Sequence, residues 1–150
     1  MPDARPPYTD GREQQEILDR GRRADLRIPS FLLRSPLSRL GYLWGTAVGW
    51  AWGSLWSTGP VERRNGLWVF RGMPGWAYGR GGVCVGGCYL TGDVDPGDDV
   101  LRHEAVHKAQ WLRYGFLMPL LYLFAGRDAL RNRFEIEAGL EDGGYLPRSR

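Results

Sequence analysis

The stretch Leu101-Arg102-His103-Glu104-Ala105-Val106-His107-Lys108-Ala109-Gln110 decides what can be expected of this chain. It contains the pattern His-Glu-x-x-His, and these two histidines are the only two among the 150 residues. On an α-helix, residues four apart differ by about 40° in rotation and by one turn in height, so both imidazoles project from the same face. Glu104 lies about 100° further round that helix and reaches the space beside them.

Two imidazoles on one helix face form a zinc-binding pair, and the glutamate between them reaches the metal-bound water rather than the metal. Zinc lowers the pKa of that water to about 7, and a neighbouring carboxylate can accept its proton as the water attacks a carbonyl group. The motif therefore predicts Zn²⁺ as cofactor, His103 and His107 as ligands and Glu104 as general base. An exposed helix that carries two histidines by chance is the alternative interpretation.

A hydrolytic zinc site uses three protein ligands, and the third must be a carboxylate here because no further histidine exists. Residues 132–138 offer Glu135 and Glu137, which would lie about 200° apart on a helix, so only one can face the metal. We expect Glu135, because small residues such as Ala138 share its face and allow close approach to the motif helix. Glu137 is the alternative third ligand, and Asp128 is a remote candidate.

Length and charge limit the classes of protein to be considered. The chain is long enough for one domain with a real core, and its net charge of +3 comes from interspersed acids and bases without a block of like charge. No nucleic-acid-binding motif is present, so we expect no nucleic-acid partner. Residues 1–30 are polar and contain no apolar run, which predicts no cleavable signal peptide and a location in the cytoplasm or at the inner membrane.

Three segments of the chain differ in character. Residues 1–34 form a polar N-terminal segment, in which Glu13 to Leu26 could be a short helix and Met1 to Asp10 is expected to be a disordered tail. Residues 35–58 are predicted to form an apolar helix rich in glycine and tryptophan. Residues 59–150 contain the motif and are predicted to be the catalytic domain.

The apolar segment 37–57 has an unusual pattern. Ser35 and Pro36 are a favourable N-cap and first helical residue, and no residue from 40 to 61 is charged. A ridge of small residues follows one helix face, formed by Gly41, Gly45, Gly49 and Gly53. Such spacing lets a second helix approach closely, as in membrane helix pairs, but a helix over 40–57 would be only about 27 Å long against a hydrocarbon core of about 30 Å. A membrane span, an interfacial helix and a packed soluble helix all stay open.

The middle of the chain predicts β-structure. Asn65-Gly66 favours a two-residue hairpin turn between two short strands. A further β segment from Val83 to Thr91 would complete a small antiparallel sheet of three or four strands. It contains Cys84 and Cys88, which would be about 13 Å apart in a straight strand, too far for a disulfide. We expect them to be small apolar strand residues rather than metal ligands, since cysteine metal sites usually need more cysteines.

Helices follow the predicted sheet. The motif helix is predicted over 96–114, with Asp95 as its cap. The apolar stretch 116–125 is too short to span a bilayer and, together with 37–57, is a candidate for membrane contact. A last helix is predicted over 127–141. The fold class expected from these elements is α+β, with a small antiparallel sheet packed on the motif helix and on the C-terminal helix that bears the later glutamate, after an N-terminal Gly/Trp-rich helix.

These motifs resemble the gluzincin clan of zinc metallopeptidases. The matching parts are His103-Glu104-x-x-His107 on one helix and Glu135-x-x-Ala138 on a later one. The resemblance extends over residues 60–142 in the order of elements and is strongest to the very small, uncharacterised bacterial members. It implies a zincin-like domain in which the two histidines and the later glutamate bind zinc, the motif glutamate is the base, and the substrate is a peptide or protein.

The chain departs from the clan pattern at two points. Gly139 stands where an aspartate often orients a histidine, and no histidine is left to stabilise the oxyanion. The oxyanion would then have to be stabilised by Tyr114, Tyr122, Tyr145 or an arginine. The predicted function is that of a zinc-dependent metallopeptidase, and the alternative is a non-catalytic, membrane-associated protein that retains a metal-binding zincin scaffold.

Overall fold

A computed structural model describes residues 11–148, which form five α-helices and a four-stranded sheet. The elements in chain order are α1 (Gly11–Asp25), α2 (Pro36–Trp56), β1 (Glu62–Arg64), β2 (Leu67–Phe70), β3 (Val83–Val85), β4 (Cys88–Leu90), α3 (Asp98–Tyr114), α4 (Met118–Phe124) and α5 (Arg133–Ala138). The α+β class is confirmed, and so is the short helix predicted near residues 13–26. The tail predicted for residues 1–10 lies outside the described residues.

The sheet has the strand order β1-β2-β4-β3. Strands β1 and β2 form the predicted hairpin, in which Asn65 and Gly66 have φ values of 49° and 76°. The β3–β4 pair is also antiparallel, but β2 and β4 run parallel, with Trp68 opposite Cys88. The expectation of an all-antiparallel sheet is therefore wrong at its centre. The reason is the long connection from β2 to β3, which lets the second hairpin enter the sheet with β4 alongside β2.

The β segment predicted from Val83 to Thr91 is two strands rather than one. A turn at Gly86-Gly87, with φ of 60° at Gly86, reverses the chain and places Val85 opposite Cys88. Cys84 and Cys88 are both free thiols and both buried, so the expectation of small apolar sheet residues is confirmed.

Helix α2 packs on the rest of the chain through its glycine ridge. Its buried residues are Ser38 and the four glycines at 41, 45, 49 and 53. A Cβ atom added at Gly41 would lie 2.2 Å from the backbone nitrogen of Phe116, and one at Gly53 would lie 2.4 Å from the ring of Phe70. The close approach that the ridge permits is thus made to this chain's own sheet and helices. Ser35 caps the helix as predicted.

One interpretation of segment 37–57 is a helix that spans a membrane. Within residues 11–148, none of the helices is both long and apolar enough to cross a bilayer.

The helices that follow the sheet begin and end differently from their predicted bounds. Helix α3 starts after Gly97, and Asp95 is not its cap, because the Asp95 carboxylate pairs with Arg64 at 3.0 Å. Helix α5 has only six residues instead of extending over 127–141. The Asn132 side chain accepts a hydrogen bond from Phe134 N and caps its start, and Gly139, with φ of 98°, ends it.

The core lies where α3 packs between the sheet and α5. Its fully buried side chains come from all three parts and include Leu67, Val69, Tyr89, Leu101 and Phe134. Helix α1 joins this core through the buried carboxylate of Asp25, which accepts hydrogen bonds from Tyr114 Oη at 2.6 Å and from Arg133 at 3.0 Å. This packing fixes the distance between α3 and α5, and with it the geometry of the residues that the two helices direct toward each other.

Candidate metal centre

Three side chains from α3 and α5 converge on one point. His103 Nε2 lies 3.0 Å from Glu135 Oε2 and 3.1 Å from His107 Nε2, and His107 Nε2 lies 3.4 Å from the same carboxylate oxygen. All three residues are buried. The i, i+4 spacing on α3 brings the histidines together, and the first turn of α5 brings Glu135 to them.

The hydrogen bonds of the histidines fix where their protons are. His103 Nδ1 lies 2.9 Å from the carbonyl oxygen of Gly139, which can only accept, so Nδ1 carries the proton. His107 Nδ1 lies 2.8 Å from Gln110 Oε1, and Gln110 Nε2 donates to the Phe134 carbonyl, so the amide oxygen faces the imidazole. In its neutral form, each imidazole therefore directs an unprotonated Nε2 toward the other and toward a carboxylate.

Three acceptor atoms at this separation repel one another unless a proton or a metal cation lies between them. A triangle of this size allows one ion to be about 2.0–2.1 Å from all three atoms, which is the usual length of zinc bonds to imidazole nitrogen and carboxylate oxygen. Two histidines and one glutamate are also a ligand set found in hydrolytic zinc sites. The residues present therefore fit Zn²⁺, and His103, His107 and Glu135 form the one such cluster found within the described part of the chain.

The carboxylate of Glu135 is held on both oxygens. Oε2 faces the histidines, and Oε1 accepts a hydrogen bond from the Tyr122 hydroxyl. Burial by itself raises the pKa of Glu135, but its contacts with His103 and His107 outweigh burial and hold that pKa well below its usual range. Glu135 is therefore an ionised ligand candidate whose orientation Tyr122 fixes from the other side.

Glu104 lies in the same cavity but outside the triangle. It is 7% exposed, and its Oε2 has no hydrogen-bond partner among the described residues. Burial raises the pKa of this carboxyl group. A buried, unpartnered carboxylate oxygen costs free energy unless something in the cavity binds it, and a water molecule or substrate group is the natural partner.

A cavity of about 530 Å³ opens over these residues. Val83 to Val85 of β3 form one wall, and Met118, Tyr122 and Leu123 of α4 form another. Arg80, Arg127 and Tyr145 also line it. The cavity is thus lined by apolar side chains and also by His103, His107, Glu135 and Glu104.

The structure separates the alternatives for the site residues. Glu137 is exposed on the opposite side of α5, and the exposed Asp128 accepts a hydrogen bond from Leu130 N in the loop before it. Tyr114, one of three proposed oxyanion stabilisers, does not line the cavity, because its hydroxyl is buried against Asp25. That expectation is wrong for Tyr114. Tyr122 and Tyr145 do line the cavity, and burial raises the pKa of Tyr145 to about 12.

Sequence reasoning missed the groups that hold the histidines in place. Gln110 lies three residues after His107 on α3, a spacing that places both on one helix face and could have identified it. The Gly139 carbonyl orients His103, as an aspartate often does in the clan. Because it is a backbone group, no residue type in the sequence identifies it. Gly143 packs so tightly that an added Cβ would lie 2.6 Å from Cε1 of His103, so a larger residue there would displace the imidazole.

The chain was also compared with known proteins. No protein-family model, curated protein sequence or solved structure matches it.

Proposed function

We propose that this chain is a zinc-dependent metallopeptidase of the gluzincin type, with His103, His107 and Glu135 as the metal ligands. The observation that carries the proposal is the convergence of two histidine Nε2 atoms and one carboxylate oxygen within 3.4 Å of one another. A metal cation bound between the three acceptors would stabilise this buried arrangement. The free oxygen of Glu104 in the same cavity supports a hydrolytic rather than a purely structural centre.

Zinc bound there would supply a Lewis acid that acidifies water to a pKa of about 7 and polarises a carbonyl group. Glu104 accepts the proton of the attacking water at Oε2 and transfers it to the leaving amine. Gln110 and the Gly139 carbonyl keep the imidazoles in the form that binds a metal. Tyr122 and Tyr145 both line the cavity and both interact with Glu135, and either hydroxyl can donate a hydrogen bond to the substrate oxygen as negative charge develops on it.

The cavity walls indicate which peptides suit the site. Strand β3 is at the edge of the sheet, and its residues line the cavity beside the motif helix. Val83, Val85 and Leu123 offer apolar surface to a side chain next to the cleaved bond. Arg80 and Arg127 place positive charge at the same cavity, which favours a substrate with a carboxylate near one end.

Replacement of Glu104 by glutamine tests the proposal. Glu104→Gln retains the size of the side chain but removes the base, so zinc content should equal that of the wild type while turnover of peptides from an unbiased library falls about 10²–10⁴-fold. Glu137→Gln makes the same chemical change at an exposed position of α5 and should leave both quantities unchanged. Wild-type turnover by Glu104→Gln would contradict the role of Glu104, and a zinc-loaded wild type without turnover would favour the non-catalytic scaffold.

A further inference from the structure

Helix α2 has an inverted pattern of burial. Its glycines are buried, and its large apolar side chains face outward, among them Leu40, Leu43, Trp44, Val48, Trp52 and Leu55. Leu43 is 60% exposed and Leu55 is 68% exposed. A helix that faces water normally carries polar residues on its outer side, whereas Arg39 is the one charged residue between Pro36 and Trp56.

The outer side of α2 continues onto α4. The rings of Trp44 and Phe116 are 5.8 Å apart, and Phe116 lies in the short segment Gly115–Leu117 that leads into α4. On α4, Leu120 is 54% exposed and Phe124 is 84% exposed. We call the outward residues of α2 and α4 together the apolar face. Contiguous exposed apolar surface of this kind marks a site of association with a partner or a membrane.

The segments of the chain that carry the apolar face contain basic residues but no acidic ones. Residues 26–61 and 105–127, which contain α2, α4 and their flanks, include no aspartate or glutamate, so all 17 acidic residues lie elsewhere. Three arginines are exposed near the start of α2 in the sequence: Arg27 and Arg34 precede the helix, and Arg39 lies in its first turn. The partner of this face is therefore expected to be apolar with a negatively charged rim.

The glycine ridge determines how α2 can meet a partner. Gly41 at one end contacts the Gly115-Phe116 backbone, and Gly53 at the other contacts Phe70, so α2 lies flat on the domain along its length. The helix therefore exposes one face along its whole length, opposite the buried glycines. We infer that the apolar face binds the surface of an anionic lipid bilayer, with α2 lying in the plane of the interface. The leucines of α2 would lie among the acyl chains, and its tryptophans, together with Arg27, Arg34 and Arg39, would lie at the headgroups. A second copy of the chain fits less well, because two segments that contain basic residues and no acidic ones would meet.

Vesicle flotation with the full-length protein tests this inference without reference to zinc or turnover. The protein should float with vesicles of equal parts phosphatidylcholine and phosphatidylglycerol, and added salt or omission of phosphatidylglycerol should weaken binding. A double variant, Leu43→Glu with Leu120→Glu, should bind at least about tenfold more weakly, because each change removes an apolar contact and adds a negative charge. The matched control is Val94→Glu, at a residue 74% exposed and outside both segments, which should bind as the wild type does.

Thermal unfolding followed by circular dichroism should give the same midpoint for the double variant and the wild type, since both leucines are more than half exposed. Three outcomes would overturn the inference. One is wild-type protein that stays unbound at both lipid compositions, and another is equal binding by the wild type and the double variant. The third is a lipid-free dimer that the double variant converts to a monomer without any vesicle binding, which would assign the face to a second copy.

Discussion

Gln110 keeps a proton on Nδ1 of His107. Its side-chain oxygen lies 2.8 Å from His107 Nδ1, while its nitrogen donates to the carbonyl of Phe134 at 3.1 Å on the neighbouring helix. The bond to Phe134 fixes the orientation of the Gln110 amide. Its oxygen therefore faces His107, and the Nδ1 atom of that histidine carries the proton. The same side chain therefore links the packing of α3 on α5 to the availability of His107 Nε2 as a ligand.

Replacement of Gln110 should weaken metal binding without removing a ligand. Gln110→Met retains the length of the side chain but neither hydrogen bond, and loss of such an outer partner typically costs about 10–100-fold in metal affinity. Zinc affinity measured by competition with a chromogenic chelator checks this, with Gln15→Met on the exposed side of α1 as the control. Unchanged affinity in Gln110→Met would show that Gln110 does not hold His107 in its binding form.

Filling the glycine ridge should destabilise the fold. A Cβ at Gly45 would lie 2.8 Å from the ring of Trp111, whose indole nitrogen donates to the Cys84 carbonyl. Gly45→Val should lower the free energy of unfolding by about 1–3 kcal/mol, the usual cost of overpacking, as measured by urea denaturation. Ala47→Val adds bulk at an exposed position of the same helix and should change stability far less. Equal effects of the two variants would mean that α2 does not pack through this ridge.

The two thiols should be unreactive in the folded protein. Burial raises the pKa of Cys88 from 9.0 to about 12 and raises the pKa of Cys84 as well, so neither is a thiolate near neutral pH. Titration with a disulfide reagent at mildly alkaline pH should detect both thiols only after unfolding. Because the folded state retains protons that the unfolded state loses, the stability contributed by the Cys88 thiol is complete below pH 9 and decreases as the pH rises toward about 12. Rapid labelling of the native protein would contradict this.

Local patterns predict the elements of this fold better than their arrangement. The Asn65-Gly66 turn and the Ser35 cap follow from the residues themselves, and both are present. The parallel pairing of β2 with β4 depends on how a long connection crosses the domain, which no local pattern specifies. Asp95 has the chemistry of a cap, but an arginine 31 residues away in the sequence binds its carboxylate instead.

The same limit applies to the candidate site. Helical periodicity places His103 and His107 on one face, and the small residue Ala138 favours Glu135, which the structure brings to them. The partners that orient these side chains depend on the approach of α3 to α5 and include a backbone carbonyl, so sequence patterns alone do not reveal them. Tyr114 was misassigned because its hydroxyl binds Asp25, 89 residues away in the sequence.

Metal content of the purified protein tests the central claim, which is that His103, His107 and Glu135 form a zinc centre. The wild type, purified without chelators, should contain about one zinc per chain. Glu135→Ala should lose most of it, whereas Glu137→Ala, which removes an exposed carboxylate from the same helix, should retain it. Wild-type protein without zinc, or zinc retained by Glu135→Ala and lost by Glu137→Ala, would contradict the assignment.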